Sequence, residues 1–217
     1  MLIVGAGGCA RDLLAMLELE GEQPAVCFYD DVNPDAPAVL FDRYRVLRSR
    51  PEAVEYFRSR DSRFALGVGM PMVRFRLASL FEELGGSLTS LVSRHAWIGT
   101  HSRVSSRGTL IMHGSILTQD VEIQDGSLIN MRCTLGHGCR VGRFCDLAPG
   151  VYASSCSIGD YCHLGINSIL KPGIRLGAHV TVGAGSVVTR DVPDYQIVAG
   201  VPARQIGVNA RDGLVAW

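Results

Sequence analysis

The sequence predicts a small parallel α/β domain followed by a parallel β-helix, and the change of pattern along the chain carries the prediction. Residues 1–92 alternate short apolar runs with helical patterns, whereas beyond about residue 95 glycine recurs every few positions and aliphatic residues return at every sixth. With 217 residues, 47% of them apolar and 19% charged, the chain has enough apolar surface for a sizeable core divided over one large domain or two small ones. We therefore divide it into 1–92 and 93–217.

In the first part Leu2-Ile3-Val4 reads as a strand and Gly5-Ala6-Gly7-Gly8 as a tight turn. Ala10, Leu13, Leu14 and Leu17 then form the apolar stripe of a helix. Ala25 to Tyr29 is a second strand, running into Asp30-Asp31. Ser49 and Glu52 have the spacing of a capping box ahead of Ala53, Val54 and Phe57, and Phe64 to Val68 is a further strand. Val73, Leu77, Leu80 and Leu84 mark an amphipathic helix stopped by Gly85-Gly86. Strands alternating with helices imply a parallel sheet of the Rossmann kind.

The second part is an internal repeat. Aliphatic residues fall six apart at Ile98, Val104, Leu110 and Ile116 and, after one extra residue, at Ile123, Ile129, Leu135, Val141 and Leu147, with Ala153 in the next slot. One residue is then missing, and the register resumes at Ile158, Leu164, Leu170, Leu176, Val182 and Val188. One short strand and one turn per six residues, with three such faces per coil, give a parallel β-helix of about five coils. Cys133, Cys139, Cys145 and Cys162 occupy the small-residue place of the repeat, as Ser127, Ser168 and Ser186 do, and read as buried fillers.

Charge and composition exclude several classes. Lys plus Arg and Asp plus Glu both total 21, so no overall field draws nucleic acid or an anionic membrane, and any anion must be recognised locally. Met1 to Gly8 has no basic start, and its apolar run falls far short of the roughly 20 residues of a membrane span, so a cytoplasmic protein is expected. The seven cysteines include no Cys-x-x-Cys pair and read as reduced thiols. Of the six histidines, His137 stands out because it follows Leu135-Gly136 at a turn beside Gly138, in the middle of the coil stack. The spacings from His101 to His113, His137 to His163 and His163 to His179 place no close pair on one coil, so no metal centre is expected. Gly5-x-Gly7-Gly8 lacks the full dinucleotide spacing, although backbone N–H groups at a helix start do attract phosphate.

Three segments together resemble one family: Ile3-Val4-Gly5-Ala6-Gly7-Gly8, the hexapeptide run, and Ala184 to Pro193 followed by Val198-Ala199-Gly200-Val201-Pro202-Ala203-Arg204. They are similar to the sugar O-acyltransferases of sialic acid O-acetyltransferase type, and within these most to the nucleotide-sugar N-acetyltransferases. The resemblance implies a left-handed coil, a homotrimer with active sites between subunits, and acetyl-CoA as co-substrate. It implies acetylation of the 4-amino group of a nucleotide-linked 4-amino-4,6-dideoxyhexose for a surface glycan. Family positions fall on His137 as general base and on Asn130, while Gly138 stands where relatives carry a carboxylate and Asp146 where they often carry histidine. Asp146 is therefore expected to supply the missing carboxylate to His137. Acetyl-CoA is assigned to Ser154, whose backbone N–H would hold the oxyanion, and to Gly165, Ile166, Gly183, Gly185, Gly200 and Arg204. The nucleotide is assigned to Gly7, Gly8, Arg11, Asp30 and Asp31, with Gly69 and Arg74 beside it and Cys9 where relatives have histidine. The alternatives are an O-acetyltransferase acting on a sialic-acid-like or other sugar hydroxyl, and a nucleotide-sugar-binding protein without catalysis. An attacking hydroxyl depends more on a strong base than an amine does, so the absent carboxylate after His137 leans towards an amine.

Overall fold

The computed structural model describes residues 1–19, 25–35 and 37–210. The first domain comprises β1 (Leu2–Val4), α1 (Gly8–Leu19), β2 (Cys27–Tyr29), β3 (Val39–Leu40), β4 (Tyr44–Leu47), α2 (Arg50–Ser59), β5 (Arg63–Leu66), α3 (Pro71–Glu83) and β6 (Ser87–Leu88). Its sheet has the order β3-β4-β2-β1-β5-β6 and is parallel except for the β3–β4 pair. The chain moves outward from β1 through β2 to β4, then returns to the other side of β1 as β5. The crevice at the carboxyl ends of β1 and β5 is thus the switch point, where open α/β sheets receive ligands.

Leu13, Leu14 and Leu17 of α1 pack on Ile3, Phe28 and Ala65, while Phe57 of α2 and Phe81 of α3 meet Phe64 across the opposite face. The capping box of α2 forms in altered shape: Glu52 accepts from the Arg48 N–H at 2.9 Å and from the Ser49 hydroxyl at 3.1 Å. On α3 the buried stripe is Arg74, Ala78 and Phe81, rotated one position from the expected Val73, Leu77 and Leu80. A pattern search that counts only apolar residues misplaces the face because an arginine points inward.

The passage from one sheet system to the other falls between Leu88, paired with β5, and Leu91, paired with Leu110. From there a left-handed parallel β-helix runs to the hairpin of Gln196–Gly200 and Ala203–Val208; the tail beyond residue 210 lies outside the described residues. Successive coils stack as Ile98↔Leu117↔Leu135↔Ala153, Val104↔Ile123↔Val141↔Ile158↔Leu176, and Ile111↔Ile129↔Leu147↔Leu164↔Val182↔Val198. The extra residue therefore lies between Val104 and Ile111, so Ile111 and Leu117 face the core instead of Leu110 and Ile116. Leu110 instead faces the first domain, where it is buried. Cys133, Cys139, Cys145 and Cys162 are fully buried in the core, and thiols such as Cys145 and Cys162 donate to carbonyls of the next coil at 3.0 Å.

The three outer faces differ. One carries the column Leu110, Leu128, Asp146, His163 and Thr181, and the first domain docks on it. The second carries Trp97, Ile116, Thr134, Tyr152 and Ile169, with Trp97, Ile116, Tyr152 and Ile169 between 38% and 56% exposed. The third carries Arg103, Glu122, Arg140, Ser157 and Arg175. We call these the docked, apolar and charged faces. Between the charged and docked faces runs a corner of left-handed turn positions, Gly126, Phe144, Tyr161, His179 and Tyr195. Phe144, Tyr161, His179 and Tyr195 stack there as a ladder, with ring centroids 6.2, 4.9 and 4.6 Å apart. The edge of Phe75 on α3 meets its upper two rungs.

Candidate active site

His137 is exposed at the corner between the apolar and charged faces, in the turn after Thr134–Leu135. Its Nδ1 lies 3.2 Å from Oγ of Ser155, one coil on, and that hydroxyl also donates to the His137 carbonyl at 3.2 Å. With the hydroxyl hydrogen on the carbonyl, Oγ accepts from Nδ1–H, which leaves Nε2 as the basic nitrogen. Gly138 follows because the turn needs φ of +68°, which glycine adopts at no steric cost.

Asp146 does not serve His137. It stands on the docked face, 6% exposed, with Oδ2 3.0 Å from Nδ1 of His163. The 18-residue coil puts residues 137 and 146 on different faces, and the stacking register pairs Asp146 with the residue one coil later. The partner actually found for His137 is a serine, which fixes the tautomer but brings no negative charge to an imidazolium. Asn130 is likewise apart: it occupies the corner between the docked and apolar faces, with Oδ1 accepting from the Met131 N–H at 2.8 Å.

That same corner collects most of the residues assigned to acetyl-CoA. Gly165, Ile166, Gly183, Gly185 and Gly200 follow one another down it, with Ile166 53% exposed and the Gly185 N–H donating to the Ile166 carbonyl at 2.8 Å. Glycine is required by the stacking itself, since a Cβ on Gly183 would lie 2.8 Å from that of Ala199. Arg204 is exposed on the terminal hairpin. Ser154 lies at the other corner, packed against Gly136 beside His137. The apolar face is thus bounded by the His137 corner on one side and the Asn130 and glycine corner on the other.

In the first domain Gly7, Gly8, Arg11, Asp30 and Asp31 gather at the carboxyl ends of β1 and β2. Gly7 and Gly8 open α1 with nothing near the place of a Cβ. Arg11 reaches back to the Ala6 carbonyl at 3.3 Å and lies over the Phe41 ring. The Asp30 carboxylate caps its own loop, accepting from the N–H groups of Val32 and Asn33, and Asp31 accepts from the Tyr29 hydroxyl at 2.8 Å.

Arg74 is not a ligand residue. Its side chain has no exposed surface, and its guanidinium donates to carbonyls on both domains: Leu66 at 3.1 Å and Val68 at 2.7 Å on one side, Gly126 at 2.8 Å and Gly108 at 3.5 Å on the other. With its donors used on backbone, it fastens the crevice to the β-helix. Cys9 of α1 sits close to both Arg74 and Asp146, and burial pushes its thiol up to about 11. The crevice floor is therefore formed by Cys9, Gly69, Asp146 and His163, and a Cβ on Gly69 would lie 2.9 Å from Oδ2 of Asp146. A small cavity of about 30 Å³ adjoins it, lined by Met70, Met72, Tyr161, His163, His179 and Thr181. A far larger groove, about 920 Å³, opens at the amino ends of the strands between Cys27, Arg45 and Tyr56, away from every residue assigned to a ligand.

Two family models match the chain: the PglD N-terminal domain over residues 1–81, and the bacterial transferase hexapeptide repeat over residues 155–190. The chain is similar to PglD over its first part and to hexapeptide-repeat transferases over its second. A crystal structure of a variant of perosamine N-acetyltransferase from Caulobacter crescentus, in complex with CoA and GDP-perosamine, superimposes with a TM-score of 0.86 at 28% identity over 95% of this chain and 96% of that one. The acetyltransferase domain of PglB from Neisseria gonorrhoeae shares the fold, with a TM-score of 0.84 at 23% identity over 94% and 98% of the two chains. Galactoside O-acetyltransferase from Escherichia coli is 38% identical over 63 residues, which are 29% of this chain and 31% of that enzyme. Among the described residues no helix is long and apolar enough to cross a membrane.

The aromatic ladder and the Asp146–His163 pair are the features that sequence reasoning missed. Both have a signal in the sequence. Aromatic rings recur at Phe144, Tyr161, His179 and Tyr195, about one coil apart, and Asp146 and His163 share that spacing.

Proposed function

We propose that this transferase moves the acetyl group of acetyl-CoA to the 4-amino group of a nucleotide-linked 4-amino-4,6-dideoxyhexose. The observation that carries the reading is the docking of an open nucleotide-type crevice onto a hexapeptide β-helix. A similarity along nearly the whole chain to an enzyme solved with CoA and GDP-perosamine supports it. Gly7, Gly8 and Arg11 hold the diphosphate at the start of α1, Asp30 and Asp31 face the base or ribose, and CoA follows the glycine corner from Gly165 to Gly200, with Arg204 at its phosphates. The amine attacks the thioester carbonyl, the backbone N–H of Ser154 steadies the oxyanion, and Nε2 of His137 takes the proton shed by the attacking nitrogen.

A homotrimer completes the site. Among the described residues the apolar face is left open, and packing it against a second copy brings the His137 corner of one subunit towards the Asn130 corner of the next. Ile169→Glu, a charge placed in that face, is expected to convert the assembly to monomers and to remove transferase activity with them. Sedimentation of a fully active variant as the parent oligomer would show that the face does something else.

The similarity to a galactoside O-acetyltransferase favours a hydroxyl acceptor as the second reading. Thiol release from acetyl-CoA with a panel of GDP-, UDP- and dTDP-linked 4-amino sugars separates the two. Release with an amino sugar is the expected result. Release only with hydroxyl sugars of the same nucleotides selects the second reading, and CoA binding without release from any acceptor points to a non-catalytic role.

A further inference from the structure

The acceptor crevice ends on a second imidazole, and this one is held by a carboxylate. Asp146, nearly buried, binds Nδ1 of His163 at 3.0 Å and is in contact with Gly69 at the carboxyl end of β5. The pair therefore stands where β1 and β5 open their crevice, within the same chain. With Asp146 ionised, Nδ1 carries the hydrogen and Nε2 is the basic nitrogen, the arrangement by which a buried carboxylate orients a base and steadies its protonated form. The titratable and charged groups around it are Arg74 from α3, Cys9 from α1, and Tyr161 and His179 from the ladder corner. Cys9 is a neutral thiol there, and the Arg74 and Asp146 charges offset each other. The adjoining space of about 30 Å³ is the size of one water or one ammonium group.

A sugar amine has a chemical difficulty that a hydroxyl lacks. Aliphatic amines titrate at roughly pH 8 to 10, so the acceptor arrives mostly as an ammonium with no lone pair to attack. Two protons must then leave its nitrogen, one before attack and one after. We propose that His163, oriented by Asp146, takes the first. The N–H bond of the ammonium breaks, its electron pair stays on nitrogen as the attacking lone pair, and the proton bonds to Nε2 to give an imidazolium paired with Asp146. That proton passes to solvent; once the amine has attacked, His137 of the partner subunit in the proposed trimer takes the second proton and hands it to the thiolate of CoA as the C–S bond breaks. This assignment rests on the reading of the acceptor as an amine.

The test is kcat/KM against pH for the wild type, His163→Gln, Asp146→Asn and His137→Ala, using the amino-sugar nucleotide that the wild type turns over. His163→Gln and Asp146→Asn are expected to lose about 10²-fold near neutral pH, at the low end of what a positioned base supplies, and to regain most of it about two pH units higher, where the amine is already neutral. His137→Ala stays depressed at every pH. A merely structural role for the pair would lower the rate equally across the range. That result, or no loss at all in either variant, overturns the proposal while leaving the amine reading intact. A wild type that releases no CoA with any amino sugar removes both.

Discussion

His137→Ala is expected to lower kcat/KM by about 10² to 10⁴-fold, the contribution of a positioned general base, with little change in KM for acetyl-CoA. The expectation follows from where the ring stands. It is exposed beside Ser154, its tautomer is set by Ser155, and among the described residues no titratable side chain shares its hydrogen bond. Stopped-flow or steady-state thiol release reads the effect. A drop of less than about tenfold would mean that proton removal is carried elsewhere, with His163 as the next candidate.

Arg74→Ala is expected to destabilise the protein by about 3–5 kcal/mol, the range found when one member of a buried charged network is removed. The substitution leaves the carbonyls of Leu66, Val68 and Gly126 without their donor and the Asp146 carboxylate without a nearby cation, all in the seam between the domains. Thermal unfolding should begin roughly 10 °C lower, since each kcal/mol is worth about 2–4 °C in a chain of this size. Arg74→Lys should recover only part of the loss, because a single ammonium cannot reach carbonyls on two domains in the fork geometry of a guanidinium. A loss below about 1 kcal/mol would mean that water satisfies the carbonyls and that the seam is held by Leu110, Met112 and Leu128 alone.

Much of this molecule was legible from its sequence because the repeat imposes one rule many times. The slots from Ile123 to Val188 face inward as the six-residue period requires, and the buried cysteines follow from the same rule. The period failed where an insertion made its phase ambiguous, at Leu110 and Ile116, since both alternatives put an aliphatic residue in the slot. At α3 the rule that buried faces are apolar hid Arg74, whose burial is sustained by backbone acceptors that no side-chain pattern reveals. The candidate site divides in the same way. Gly7, Gly8, Gly183 and Gly185, which the resemblance assigned to ligands, stand at the start of α1 and at one corner of the coil stack. Asp146 was assigned to the wrong imidazole because nearness along the chain was read as nearness in space, whereas in a solenoid the neighbour lies a whole coil away.

The docking of the first domain on consecutive coils turns the β-helix into a measuring rod. Adjacent strands are about 4.8 Å apart, so each coil is one division of the scale. The domain grips the divisions from Leu110 to His163, and His137 is fixed at the level of that same span. A coil added beyond Thr181 would leave this register intact and displace only the far part of the proposed CoA corner, Gly183 to Arg204. An added coil between Gly126 and Asp146 would carry the transfer chemistry a full division past the crevice, a distance greater than any reacting pair tolerates. Coil number is therefore pinned within the gripped segment.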